Sequence, residues 1–137
     1  MKCEFTYWDL IPNIFEFLKR CKPRKILDVN PCTGFTGILL REMCNPERLD
    51  AVTETPAPDP SYFFVYNHVF TVFPNVAYDV VTFFGTFHPS RRYSGVKAVF
   101  LVAEHLDNLT WTPQQLLSFG RVQVEYTDFS VLAVIVP

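Results

Sequence analysis

The architecture of this chain follows from the segment Lys25-Ile-Leu-Asp-Val-Asn-Pro-Cys-Thr-Gly-Phe-Thr-Gly37. Its first five residues form an apolar run with one acid, which predicts a buried strand over 25–29. A loop with Gly34 follows, and 36–44 has a helical pattern. A buried parallel strand that turns sharply into a helix is typical of α/β proteins, whose helix N-termini present backbone N–H groups to nucleotide-like ligands.

The hydrophobic pattern predicts further elements on both sides of this segment. A helix is predicted from Leu10 to Cys21, with Asp9 as a capping residue and Pro12 in the first turn, where proline is tolerated. Strands are predicted at 49–53, 62–67, 78–84 and 97–103, a short helix between Thr112 and Gly120, and a hairpin at 122–126 and 129–136. The residues 69–73 fit either a strand or a short helical turn. This order indicates a Rossmann-like α/β fold, a parallel sheet that ends in an antiparallel pair.

Two of the connections between predicted strands lack a full helix. Proline at every second position of 55–60 excludes a regular helix there, and 85–96 has room for one short turn. Helix cover is therefore expected to be reduced, leaving one face of the sheet thin. We expect a homodimer or a protein partner to cover that face.

Composition limits the classes of protein to consider. A chain of 137 residues is predicted to be a single domain over 1–137. The net charge of −2 makes nucleic acid an unlikely partner, because a nucleic-acid surface is basic. Each apolar run is interrupted by proline or charge, which argues against a membrane span and favours a cytoplasmic location with mostly reduced cysteines. The cysteine spacing predicts no metal site.

The 25–37 segment resembles motif I of the class I S-adenosylmethionine (SAM) dependent methyltransferases, Leu-Asp-x-Gly-x-Gly-Thr-Gly. Asn30 and Cys32 stand at the first two glycine positions, and Gly34 keeps the pattern. Two later segments, 78–81 and 111–120, fit the same family in order and spacing. The resemblance implies a three-layer sandwich with a mostly parallel seven-stranded sheet and a C-terminal antiparallel hairpin, in a small and degenerate member of the family.

The resemblance also implies a cofactor loop. The family uses the loop glycines to accommodate the aminocarboxypropyl group of SAM, which assigns Asp28, Asn30, Cys32 and Gly34 to cofactor binding. Asn30 is the best available substitute for glycine, because asparagine tolerates left-handed backbone conformations. The alternative is a tight turn without a ligand, in which the Asp28 carboxylate ties down the loop.

The family places an acid at the end of the second strand to bind the ribose hydroxyls. Alignment of 48–52 puts Thr53 at that position and Glu54 one residue later, so both are candidates. A shift of one residue turns a side chain to the other face of a strand, and Glu54 reaches the ribose only if the strand ends early. A solvated loop glutamate is the alternative.

The segment after the fourth strand supplies the last candidates. Gly85 is a predicted cofactor-loop residue, and His88 is the predicted general base, because neutral imidazole accepts a proton near pH 7. A packed or solvated histidine is the alternative. Arg91 and Arg92 are weaker candidates for an anionic ligand.

Two functions from different classes follow. The first is a SAM-dependent methyltransferase, acting on a small-molecule or protein methyl acceptor, with a degenerate cofactor site and weak or no activity. The second is a non-catalytic interaction or scaffold protein, a pseudoenzyme that keeps the methyltransferase fold. An aromatic-rich segment at 62–73 favours the second.

Overall fold

The computed structural model describes residues 5–57, 59–90, 93 and 96–137. The helices are α1 (Ile11–Cys21), α2 (Phe35–Cys44) and α3 (Pro113–Leu117), and the strands are β1 (Lys25–Val29), β2 (Arg48–Val52), β3 (His68–Phe70), β4 (Val80–Phe84), β5 (Val99–His105), β6 (Arg121–Tyr126) and β7 (Ser130–Val136). Single 3-10 turns lie at Trp8–Leu10, Phe63–Val65 and Leu106–Asn108.

The seven strands form one sheet in the order β3-β2-β1-β4-β5-β7-β6. The first five strands are parallel, and β7 inserts antiparallel between β5 and β6. This confirms the predicted fold, a mostly parallel seven-stranded α/β sheet that closes with an antiparallel hairpin. The order reverses between β1 and β4, which is where open α/β sheets bind ligands.

Helices cover one face of the sheet. Leu10, which precedes α1, and the buried side chains of α1 and α2 pack against residues of β1, β2 and β5 on that face, the helix side chains being Ile14, Leu18 and Leu40. Leucine and isoleucine at helical spacing place one apolar stripe of each helix on the sheet. The helices predicted at the N-terminus and after the first strand therefore cover this face of the sheet.

Aromatic side chains cover most of the other face. Phe83 lies 5.1 Å from both Phe87 and Tyr93 between ring centroids, and Phe87 lies 5.5 Å from Phe119. The only helix among the described residues on this side is α3, whose Leu116 is fully buried. The short connections of this face are therefore closed by large rings packed edge to face, and not left bare.

Two local predictions are wrong. The segment 62–67 is not a strand but contains a 3-10 turn. The third strand lies at His68–Phe70, which overlaps the region 69–73 that fitted either structure and begins one residue before it. Asp9 does not cap α1, because the residue before that helix is Leu10 and no side chain caps it. Asp9 instead accepts hydrogen bonds from Thr127 and from Ser130 (3.0 Å) in the β6–β7 turn.

The cysteines differ from one another in state. Cys21 and Cys44 are free thiols, as predicted, whereas Cys32 is disulfide-bonded, so the expectation of reduced cysteines is wrong for Cys32. Within the described part of the chain, no helix has the length and apolar character needed to cross a membrane.

Candidate functional site

Loops from three strands meet at the carboxyl edge of the sheet and form two adjoining cavities. The inner cavity, of about 250 Å³, lies between the β1–α2 loop, the 84–86 segment and the N-terminal residues 5–7. The outer cavity, of about 420 Å³, lies between the same β1–α2 loop, the 53–57 segment and His88. Five residues line both cavities: Asn30, Pro31, Cys32, Gly85 and Thr86. The two therefore form one bent groove across the switch point of the sheet.

Seven of the eight predicted site residues line this groove. Asp28 and Gly34 line the inner cavity, Thr53 and His88 line the outer one, and Asn30, Cys32 and Gly85 line both. Glu54 lines neither cavity but bonds to Asn30. Arg91 and Arg92 lie outside the described residues.

Asp28 is buried, and hydroxyl groups surround it. Its carboxylate accepts hydrogen bonds from Thr36 (2.5 Å), Tyr66 (2.7 Å) and Thr82 (2.8 Å). Loss of hydration on burial raises the pKa of Asp28 to about 6, against the lowering effect of the three hydroxyl donors. The carboxylate thus joins α2, Tyr66 after the 63–65 turn, and β4 to β1. These bonds tie down the loop, and a role of Asp28 in cofactor binding stays a prediction.

Asn30 and Glu54 connect the ends of β1 and β2. Asn30 has a φ of 49°, the left-handed conformation expected at a position where the family has glycine. Its side-chain carbonyl accepts the Glu54 backbone N–H at 3.0 Å, and its amide lies 3.5 Å from the Glu54 carboxylate. Glu54 is therefore held at the rim of the outer cavity, although it lies one residue beyond the aligned position.

Backbone conformation and close packing both require glycine at position 34. Its φ is +84°, and a Cβ atom at this position would lie 2.9 Å from the Tyr62 carbonyl carbon and 2.9 Å from the Phe63 ring. Tyr62 also donates its backbone N–H to the Thr33 carbonyl at 2.8 Å. The 62–63 segment consequently packs against the glycine on the side where a Cβ atom would stand.

Tyr7 closes the inner cavity from the N-terminal side. Its hydroxyl lies 2.6 Å from the position of a Cβ atom on Gly85, whose φ is +79°. Burial, and next the nearby charge of Glu104, raise the pKa of Tyr7 to about 12. Phe5 contacts Phe35 and Phe84 at ring-centroid distances of 6.2 and 5.9 Å. Aromatic rings thus form part of the wall of the inner cavity, beside polar residues that include Asp28, Asn30 and Thr33.

His88 is exposed at the outer cavity, and the structure brings an acid close to it. Glu104 is buried near the end of β5, and both its oxygens lie 2.9 Å from the Thr110 hydroxyl. Burial raises the pKa of Glu104, while the Thr110 hydrogen bonds and the proximity of His88 oppose that rise. The sequence prediction did not find Glu104, because its nearness to His88 comes from the parallel pairing of β4 with β5. The only signal was the acid at the end of an apolar strand.

No sequence-family profile and no curated protein sequence matches the chain. Solved structures do match. The methyltransferase domain of bacterial CtHen1 superposes with a TM-score of 0.66 at 12% identity, over 96% of this chain and 99% of that domain. An rRNA methylase from Escherichia coli gives 0.62 at 10% identity, over 92% of this chain and 62% of the methylase. A SAM-dependent methyltransferase from Aquifex aeolicus gives 0.53 at 16% identity, over 88% of each chain. The chain therefore has the methyltransferase fold.

Proposed function

We propose that this chain is a methyltransferase-like protein with a degenerate cofactor site, which binds the adenosine part of SAM weakly and transfers methyl groups slowly or not at all. The observation that carries the proposal is the position of Gly34 against Tyr62 and Phe63. The side of Gly34 on which a Cβ atom would stand is filled by the chain itself, so the amino-acid part of SAM would have to fit the inner cavity of about 250 Å³ that Gly34 also lines.

The two cavities differ in how well they fit the parts of such a cofactor. The outer cavity has a polar rim, with Thr53 and His88 in its lining and Glu54 beside Asn30, and a carboxylate accepts hydrogen bonds from two ribose hydroxyls at once. The inner cavity is smaller, and its lining combines aromatic rings with the Asp28 carboxylate, which already accepts hydrogen bonds from three hydroxyl groups. The described residues that line it include no lysine or arginine to pair with the carboxylate of an amino acid, whose dehydration therefore goes uncompensated. The fit is therefore confined to the nucleoside.

The proposed test compares adenosine with S-adenosylhomocysteine by calorimetric titration. Since the inner cavity contributes little, both ligands are expected to bind weakly and with affinities within about threefold of each other. Glu54→Ala is expected to weaken both. Glu47→Ala is the matched control, because Glu47 is an exposed glutamate that pairs with Arg24 before β2, away from the groove.

Two results would overturn the proposal. S-adenosylhomocysteine binding far tighter than adenosine would mean a working amino-acid site. Absence of binding for both ligands, with no thermal shift, would leave the fold without a cofactor.

That second result would favour the alternative of a non-catalytic interaction protein. The observation in its favour is the exposure of large apolar side chains near the groove, with Phe64 79% and Val72 71% exposed.

Coverage of the sheet by a second copy or a protein partner stays a prediction, and sedimentation of the purified chain would test it.

A further inference from the structure

A third cavity lies next to the groove and is larger than either of its parts. This hairpin cleft, of about 640 Å³, opens between the 8–10 turn, the end of β5 and the turn between β6 and β7. Its principal lining residues are Trp8, Asp9, His105, Asp107, Asp128 and Phe129.

The hairpin cleft is lined by three aspartates and one titratable base, His105. Asp107 and Asp128 are exposed there, and hydrogen bonds from Thr127 and then Ser130 lower the pKa of Asp9. Asp9 is therefore ionised at neutral pH. The described residues that line the cleft include no lysine or arginine. Carboxylates from two separate loops and from the N-terminal segment thus line one cavity that has no lysine or arginine, and the charge of His105 in the same lining also lowers the pKa of Asp9.

Two aromatic side chains stand beside these carboxylates without being buried. Trp8 is 58% exposed and Phe129 is 71% exposed. Folding leaves much of both ring surfaces in water, although one side of Trp8 contacts Phe5 and Phe35, and both rings belong to the same cleft. A ring face attracts a cation through its quadrupole, and tryptophan does so most strongly. Aromatic rings add nothing to the binding of a hydrated metal ion, so the combination favours an organic cation.

The wall between the hairpin cleft and the inner cavity is thin. Thr6 lines both cavities. The His105 ring stacks on Tyr7 with 4.6 Å between centroids, and its Nε2 lies 2.7 Å from the Thr6 hydroxyl. A ligand in the cleft would therefore lie against the same residues that close the inner cavity.

We propose that the hairpin cleft binds an organic cation, a protonated amine or guanidinium, through its carboxylates and the faces of Trp8 and Phe129. A free polyamine and a lysine or arginine side chain of a protein carry this chemistry. This proposal does not rest on the proposed cofactor site, so its test is made on the protein without SAM and its outcome can be separated from the outcome at the groove.

Trp8 supplies the readout. The second tryptophan, Trp111, is only 5% exposed and packs in the aromatic face, so changes in fluorescence on titration report mainly on Trp8. The probes are spermidine, Nα-acetyl-lysine methylamide and Nα-acetyl-arginine methylamide. Nα-acetyl-norleucine methylamide is the uncharged control of similar shape. Saturable binding of the cations and none of norleucine is expected. Tighter spermidine binding would indicate the free amine, and tighter binding of an amino-acid probe would indicate a protein side chain.

Matched variants separate a built site from general attraction by an acidic protein. Asp107→Asn with Asp128→Asn is expected to weaken cation binding about 3- to 10-fold, as for two partly exposed ion pairs. Glu16→Gln with Glu47→Gln changes the net charge equally at exposed positions outside the cleft and is expected to leave binding unchanged. Phe129→Leu is expected to weaken binding about 2- to 5-fold.

The proposal is overturned if norleucine binds as well as lysine, or if the two double variants weaken binding equally. Far-UV circular dichroism of each variant confirms that the fold is retained. Absence of any saturable change with all three cations, in both fluorescence and calorimetry, would also overturn it.

Discussion

Asp28 shows how one residue can keep its place in a motif and serve the fold. A carboxylate at the end of a buried strand is costly unless its oxygens are hydrogen-bonded. Here three hydroxyl groups from three different elements supply those bonds. The residue therefore helps to hold the strand-to-helix turn together through bonds within the protein.

Replacing Asp28 is expected to change how stability depends on pH. The pKa is raised from 3.8 to about 6 in the folded protein, so the native state binds the proton more tightly than the unfolded state. Stability therefore falls as pH rises from about 4 to about 6, by about 3 kcal/mol for a shift of about two pKa units. Asp28→Asn is expected to remove this part of the slope. Urea unfolding of both proteins between pH 4 and pH 7.5 measures it.

Glu104 supplies the control for that experiment. Its pKa is also raised by burial, so it adds to the slope of the wild-type protein in the same direction. Glu104→Gln should remove only its own share, and the Asp28 share should persist. An unchanged slope in Asp28→Asn would contradict the assignment.

At the scale of elements, the N-terminal segment and the β6–β7 hairpin are joined through Asp9. Its carboxylate accepts hydrogen bonds from Thr127 and Ser130, which flank the hairpin turn. The pattern around 9–12 predicted a helix cap instead, because a local sequence window contains no information on a partner more than a hundred residues away. The contact positions the 5–10 segment across the carboxyl edge of the sheet.

This connection is expected to weaken in acid. The pKa of Asp9 is lowered by its hydroxyl donors, so the stabilisation is present above the unfolded-state pKa and is lost as pH falls through the folded-state value. A double-mutant cycle of Asp9→Asn and Thr127→Val should give a coupling energy of about 0.5–1 kcal/mol at pH 7, modest because the carboxylate is solvated. The coupling should be absent at pH 2. Equal coupling at both values would refute the ionic contribution.

The segment before β3 shows that strand propensity alone can predict the wrong element. The aromatic residues at 62–66 have high strand propensity, yet they form a 3-10 turn. Tertiary contacts outweigh the propensity, because Tyr62 bonds to Thr33 and the Tyr66 hydroxyl reaches Asp28. By contrast, β1, β4 and β5 have apolar runs that only a buried strand accommodates, and these were predicted within two residues at each end.

The same distinction applies to the candidate site. The loop residues Asn30, Gly34 and Gly85 were predicted because their positions follow strand ends. Tyr7 over Gly85 and Glu104 near His88 were missed, since each contact joins distant parts of the chain. Sequence position indicates where a groove forms, whereas the side chains that fill it depend on packing.

For the whole molecule, unfolding is expected to be one cooperative transition. The sheet runs through both hydrophobic clusters, so neither face can lose its packing while the other remains folded. In Trp8→Phe, fluorescence reports only the buried Trp111 and circular dichroism reports the helices and strands. The two probes should give one midpoint in urea. Separate midpoints would mean two independently folding units and would contradict the prediction of a single domain.

The two outer strands also bear on how the protein behaves in concentrated solution. β3 has only three residues, and β6 carries the exposed polar side chains Arg121, Gln123 and Glu125 along its length. Short or charged border strands discourage other chains from extending the hydrogen-bonded ladder. Aggregation by sheet growth is thereby suppressed at both borders, even though the strands between them are among the most apolar segments of the sequence.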